Sequence, residues 1–208
     1  MSKVVIQGNA SGTGDFTIAA PNSNTDRTLT LPDVAGTVLT SGSNADFPAG
    51  SVLQVVTTIA TEPQTYTGTS YAALNDLSLN ITPSSTSSKI LLIANMNAGT
   101  STRYVNFRLY RDSTAIGIST YTGGSSSELL SFGLGFNNDE SNYQFVVQSG
   151  GGSVLDSPST TSQITYSVQA RIHYGTGTAL YINRPSYVDG NSYGYYTASN
   201  FIAMEIAQ

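Results

Sequence analysis

Three stretches of this 208-residue chain alternate apolar and polar residues so strictly that one backbone conformation suits them all. In "YVNFRLY" the apolar set is Val105, Phe107 and Leu109. In "ELLSFGLGF" it is Leu130, Phe132, Leu134 and Phe136, and in "QITYSVQARIHY" it is Ile164, Tyr166, Val168, Ala170 and Ile172. A period of two puts each set on one face of a pleated strand, and no stretch of the chain shows a convincing helical period. With these included, strands are expected at 52–59, 66–81 with a break, 89–97, 104–111, 127–136, 142–148, 163–174, 179–183 and 200–206. Short strands at regular spacing, with Gly, Asn, Pro and Ser between them, predict an antiparallel sandwich or barrel rather than βαβ units.

Such a sandwich would have an unusual surface. Only 10% of the residues are charged, against about 25% in an average soluble protein. Its outer faces must therefore be built from hydroxyls and amides. A net charge of -5 with eight Lys and Arg gives no clustered basic surface, so nucleic acid is not an expected partner. No apolar run reaches the roughly 18 residues of a membrane-spanning helix, so no membrane insertion is expected. With no Cys, disulfides, thiolate chemistry and Cys-based zinc sites are excluded together.

Catalytic motifs are missing as well: there is no G-x-S-x-G, P-loop, G-x-G-x-x-G after a strand, or H-E-x-x-H. The one histidine, His173, alternates with Gln169 and Arg171 on the polar side of its strand, as a surface residue would. Asp139 and Glu140 sit in a turn-like "FNNDES", too few oxygens for a calcium site. No paired carboxylates stand out for glycoside chemistry. The expectation is a non-enzyme with no catalytic residues, no cofactor and no metal.

Two segments depart from the strand pattern. "KILLIANM" is apolar on both faces through Ile90, Leu91, Leu92 and Ile93, which suits a strand covered on its second face by another subunit, another layer or its own loop. "RPSYVDGNSYGYYTASN", residues 184–200, mixes Tyr with Ser, Gly and Asn as a paratope does. Tyr187, Asn191, Tyr193, Tyr195 and Tyr196 are candidates for recognition of a sugar or protein, and equally for packing against the sandwich edge or a neighbour.

Residues 1–45 read as short strands with turn chemistry between them, and their apolar residues, Phe16, Ile18, Leu29, Leu31, Val38 and Leu39 among them, are too few for a core. They are the candidates for attachment to a partner surface. The head is expected at residues 46–208, the two parts joined by a linker-like "SGSNADFPAG".

The stretch "GTGDFTIAAPNSNTDRTLTLPDVAGTVLTSGS", residues 12–43, resembles a segment of tail-fibre and other virion structural proteins of tailed bacteriophages, with LPD-x-x-GTVLT as its core. "GSVLQVVTT", "LSLNITPSSTSSKILLIANM", "YINRPSYVDGN" and the final "FIAMEIAQ" are similar to the C-terminal β domains of such proteins. The resemblance implies an all-β, antiparallel jelly-roll sandwich, tumour-necrosis-factor-like and homotrimeric, with an N-terminal extended β-hairpin anchor. It implies a virion-surface location, with other virion proteins of tail, baseplate or capsid as partners and a host-surface glycan as the contact of the head. With LPD-x-x-GTVLT beginning so near Met1, hardly any shaft is expected between anchor and head. A short tail fibre or spike and a capsid decoration protein are the two forms this leaves.

Overall fold

The computed structural model describes residues 8, 10–15, 17–19, 22–28, 30, 33, 35, 47–100, 104–120, 131–135, 146–172, 179–188 and 195–208. The chain divides into two compact units, Met1–Val38 and Leu39–Gln208. In the first unit every described residue is exposed and none belongs to a strand. Thr17, Ile18 and Ala19, and Arg27, Thr28 and Thr30, were expected in strands and are not, which fits a segment with too few apolar residues to hold a pairing by itself. Much of the expected hairpin, with Leu29, Leu31, Val38 and Leu39, lies outside the described residues.

The second unit is all-β. Its strands are β1 (Val52–Ala60), β2 (Gln64–Tyr66), β3 (Ala72–Ile81), β4 (Lys89–Thr100), β5 (Tyr104–Arg111), β6 (Thr114–Ile116), β7 (Phe132–Gly135), β8 (Gln148–Asp156), β9 (Ile164–Ile172), β10 (Leu180–Ile182) and β11 (Ser199–Ile206). One sheet runs β1-β11-β4 with β8 on the far edge of β4, and the other runs β3-β9-β5 with β7 and β6 on the far edge of β5. Every pairing is antiparallel. Following the chain from β1 to β3, β4, β5, β7, β8, β9 and β11 crosses repeatedly between the sheets. The order β1-β11-β4-β8 against β3-β9-β5-β7 is that of a jelly roll.

Three strand lines in these sheets are interrupted. β11 and β10 lie end to end along one edge of β4, against residues 95–89 and 100–98. β1 and β2 continue the same way along the next line, broken at residues 61–63. In the other sheet β7 and β6 share one edge of β5. Ser131 closes that gap, donating from Oγ to the Ile116 carbonyl at 2.7 Å and accepting from the Leu109 amide at 2.9 Å.

The interior is the one the alternation predicts. Phe107, Leu109, Tyr166, Val168 and Ala170 have no exposed surface, and Ile164 and Ile172 almost none. Phe132 stacks on Phe107 at 5.1 Å between ring centres. Val105 and Leu134 lie in strands whose side chains there are outside the described set, as are Leu130 and Phe136 altogether. Ile90, Leu92, Ala94 and Met96 of β4 and Phe201 and Ala203 of β11 fill the opposite wall. Each such large side chain contributes roughly 1.5–3 kcal/mol by leaving water.

β8 differs from expectation. The sequence suggests no strand between 149 and 162, yet one runs from Gln148 to Asp156, through the glycines, while most of the strand expected at 142–148 lies outside the described residues. Close approach explains it: a Cβ on Gly151 would stand 2.0 Å from the Ala94 carbonyl oxygen of β4, and one on Gly152 3.1 Å from the Phe132 ring. At the end of β8, Asp156 ties the sheets together, accepting from Tyr166 Oη at 2.7 Å and pairing with Arg111 at 2.9 Å. Burial, then the carboxylate, pushes the Tyr166 phenol far above its usual range.

A second buried acid, Glu205, sits inside β11. Its oxygens accept from Gln54 Nε2 at 2.6 Å and from both the amide and hydroxyl of Ser84 at 2.7 Å. Burial alone would raise its pKa, but hydrogen bonds from Ser84 and Gln54 outweigh that and hold it below the ordinary value. A depressed carboxylate stabilises the fold above its unfolded pKa, and that contribution is lost as pH falls through the folded value. Wild type should therefore lose melting temperature more steeply than Glu205→Gln between neutral pH and about pH 3. Parallel melting curves recorded against pH would show that Glu205 has no such role.

Candidate functional site

The connection from β10 to β11 bears the tyrosines singled out in the sequence, and one asparagine builds its neck. Asn183, at the end of β10, is fully buried and adopts φ +63°, a left-handed conformation Asn tolerates better than most residues. Its Nδ2 donates to the Ala60 carbonyl at 2.7 Å and the Glu62 carbonyl at 3.2 Å, across the break between β1 and β2. Its Oδ1 accepts from Ser199 Oγ at 2.7 Å, at the start of β11. Its amide donates to the Asn97 carbonyl at 2.8 Å, and its own carbonyl accepts from the Thr197 amide at 2.9 Å. Ser199 Oγ in turn accepts from the Asn97 amide at 2.9 Å. The two legs that leave β10 and enter β11 on a single strand line are thus tied together at their base by a polar knot.

The outgoing leg is fixed too. Arg184 donates to Thr65 Oγ1 at 2.9 Å and lies 4.4 Å over the Tyr181 ring. A Cβ on Gly99 would approach the Arg184 carbonyl and Pro185 to 2.7 Å, so Gly99 makes room for this leg. Above this base Tyr187 is 48% exposed, Tyr195 58% and Tyr196 60%. Three tyrosines half open to solvent on a braced loop can stack on apolar faces while their hydroxyls hydrogen-bond. Asn191 and Tyr193, from the same set, lie outside the described residues.

A second surface lies on the outside of the β1-β11-β4-β8 sheet. Register places Val55, Met204, Leu91 and Leu155 in one row across the four strands, and Thr57, Ile202, Ile93 and Ser153 in the next. Ile59, Asn200, Asn95 and Gly151 make a third row, with Asn95 donating to Asn200 at 2.9 Å. Val52, Val55, Ile59 and Leu155 are each more than half exposed. These three rows hold no charged residue, and Lys89, beside Ile206 and Val52 in the row that borders them, is the nearest one in register.

Of the four β4 residues expected at an interface, the pleat therefore gives the outer face to Leu91 and Ile93 alone. Ile90 and Leu92 are corrected to the core, each with no exposed surface. Sequence reasoning saw one apolar strand and missed its partners Val55, Leu155, Ile202 and Met204. Cross-strand register, which a single strand cannot reveal, brings them together. Of the attachment candidates, Ile18 is 76% exposed, and Phe16, Leu29, Leu31, Val38 and Leu39 lie outside the described residues. His173, Asp139 and Glu140 lie outside them too. Among the described residues no three His, Cys, Asp or Glu gather as metal ligands would, and no helix is long and apolar enough to cross a membrane.

No family model matches this sequence, and no curated protein matches it. Among solved structures, a chain from the structure of infectious bursal disease virus, Gt strain, is similar at 12% identity with a TM-score of 0.38. The match covers 84% of this chain and 43% of that one, so this chain spans less than half the length of its structural neighbour. A likeness so distant carries no argument about function.

The neck makes a direct prediction. Asn183→Ala removes three side-chain hydrogen bonds and leaves the Ala60 carbonyl and the Ser199 hydroxyl buried without this partner, which should cost about 2–4 kcal/mol in denaturant unfolding. Asn183→Gly suits the positive φ and should recover only a minor part of that loss. Recovery to wild-type stability by glycine would mean that backbone strain, not the polar knot, is what Asn183 relieves.

Proposed function

We propose that this protein is a non-enzymatic structural protein of a bacteriophage virion, a short homotrimeric tail fibre or spike. In this reading residues 1–45 dock on another virion protein of the tail, baseplate or capsid, and the jelly-roll head faces the host from the particle surface. The observation that carries the reading is the charge-poor apolar face of the β1-β11-β4-β8 sheet. Four strands at about 4.8 Å spacing, with rows about 7 Å apart, give it roughly 300–400 Å². Apolar patches of that size on single chains are commonly binding surfaces. One side of a standard interface buries about 800 Å², so flanking loops must add to the contact. Closed threefold symmetry would let three copies cover these faces together.

The braced tyrosine loop supports the second half of the reading. Tyr187, Tyr195 and Tyr196 offer rings to the C–H faces of a host-surface glycan, and hydroxyls to its polar edge. Individual contacts of this kind are weak, and three copies on one trimer would multiply them through effective concentration.

Light scattering tests the assembly. Wild type at micromolar concentration should give a trimer mass, and Leu91→Lys with Ile202→Lys should give a folded monomer. A wild-type monomer, or a double variant that still assembles, contradicts the proposed face. For the particle role, a protein lacking residues 1–45 should keep a trimeric head and fail to join particles. If electron microscopy finds the protein on the capsid shell with no outward projection, the decoration form replaces the spike.

A further inference from the structure

The outer face of the β1-β11-β4-β8 sheet carries a polar pair whose hydrogen bonding is incomplete within the chain. Asn95 of β4 lies directly across from Asn200 of β11, with Ile59 of β1 beyond Asn200 and Gly151 of β8 beyond Asn95. Asn95 Nδ2 donates to Asn200 Oδ1 at 2.9 Å, and among the described residues neither side chain makes a second hydrogen bond. An amide side chain offers a carbonyl with two lone pairs and an NH2 with two hydrogens. The pair therefore leaves the Asn95 carbonyl and the Asn200 NH2 open. Turning both amides over exchanges their roles and leaves the same inventory, one carbonyl and one NH2.

Asn97 shows how the same face can close such a group. Two residues further along β4, its Nδ2 donates to the Ala198 carbonyl at 2.6 Å, and its Oδ1 accepts from Ser149 Oγ, its register partner on β8. Asn95 meets Gly151 on that strand, which has no side chain to give. The close approach of β4 keeps it a glycine, since a Cβ would stand 2.0 Å from the Ala94 carbonyl oxygen. The open groups thus stand at the border of the apolar rows, with Asn95 exposed, Asn200 half-buried and Ile59 57% exposed beside them.

In solvent, water satisfies both groups. Under an apolar cover they would be desolvated without partners, a costly state that buried polar groups rarely show. A covering surface must therefore bring an NH2 to Asn95 and a carbonyl to Asn200. A second copy of this chain brings one of each, on rows with no charge to desolvate.

We infer that Asn95 and Asn200 form the register contact between copies of this chain, with Asn200 Nδ2 of one copy donating to Asn95 Oδ1 of the next. Each copy gives one donor and one acceptor, so the contact runs head to tail and closes into a ring, a cycle of three amide pairs in a trimer. Apolar rows alone tolerate sliding, whereas a slip along the strands would bury these amides unpaired. Leu91, Ile93, Ile202 and Met204 thus supply adhesion and the asparagines alignment, as a buried asparagine does in a coiled-coil seam. The inference rests on the reading of this face as covered between copies.

Cross-linking tests the contact, since the chain has no Cys of its own. Asn95→Cys and Asn200→Cys are made in separate full-length chains and treated with a short bis-maleimide, whose span matches two asparagines joined amide to amide. Refolded together, they should give covalent dimers containing one of each variant, and either variant alone should give few. Separately, Asn200→Ala should raise the concentration at which the assembly half-dissociates at least about tenfold, because each interface loses a bond and leaves a carbonyl unpaired. If the cysteine variants fail to fold, that midpoint still decides. A wild-type monomer by light scattering would overturn the covered face and this contact with it. Wild-type assembly without mixed dimers, or with an unchanged midpoint for Asn200→Ala, would overturn the amide contact alone and leave the covered face standing.

Discussion

A single side chain holds the most interrupted part of this jelly roll together. At Asn183 three strand lines meet: the break between β1 and β2, the break between β10 and β11, and Asn97 in the middle of β4. Breaks in a sheet leave backbone groups without ladder partners, and burying such groups unpaired costs about 1–3 kcal/mol each. Asn183 supplies donors and an acceptor where the ladder supplies none. Ser131 does the same on a smaller scale between β6 and β7. In both sheets a polar side chain supplies partners at the break in a strand line, and the apolar interior stays closed.

With the interior closed, the outer faces are free to differ. One sets Val, Ile, Leu and Met beside Thr57, Ser153, Asn95 and Asn200 with a single lysine at its border, and the other pairs arginines with tyrosines among hydroxyls and amides. The first repels water and suits a neutral, apolar partner. A second copy of the same surface meets that description with no unpaired charge.

Much of this was legible in the sequence. Strict alternation in "YVNFRLYR" and "ITYSVQARI" gave β5 and β9 with their inward residues, because a half-buried strand writes its own face. The bounds of β1, β4 and β11 followed within a few residues. No strand was expected over "SGGGS", since glycine is ambiguous between turns and sites of close backbone approach, and only the position of β4 decides between them. That β10 and β11 are one interrupted strand line depends on pairing with β4, as does the role of Asn183, an ordinary residue in an ordinary "YINRP". The apolar run at 90–93 announced an exposed face, yet the pleat hides Ile90 and Leu92 and recruits Val55, Leu155, Ile202 and Met204 from other strands. The pairing of Asn95 with Asn200 was invisible for the same reason, its members lying far apart in sequence.

The central claim is that the outer face of the β1-β11-β4-β8 sheet is covered in the assembled protein. Because the chain has no Cys, one introduced thiol can report on one position. Maleimide labelling of Leu155→Cys, compared with Ser78→Cys on the opposite sheet, measures that cover directly. Both positions are exposed in the isolated chain. The account predicts slow labelling at position 155 in the native assembly, fast labelling there once Leu91→Lys is added, and fast labelling at position 78 in both. Equally fast labelling of the two positions in the native protein would contradict it.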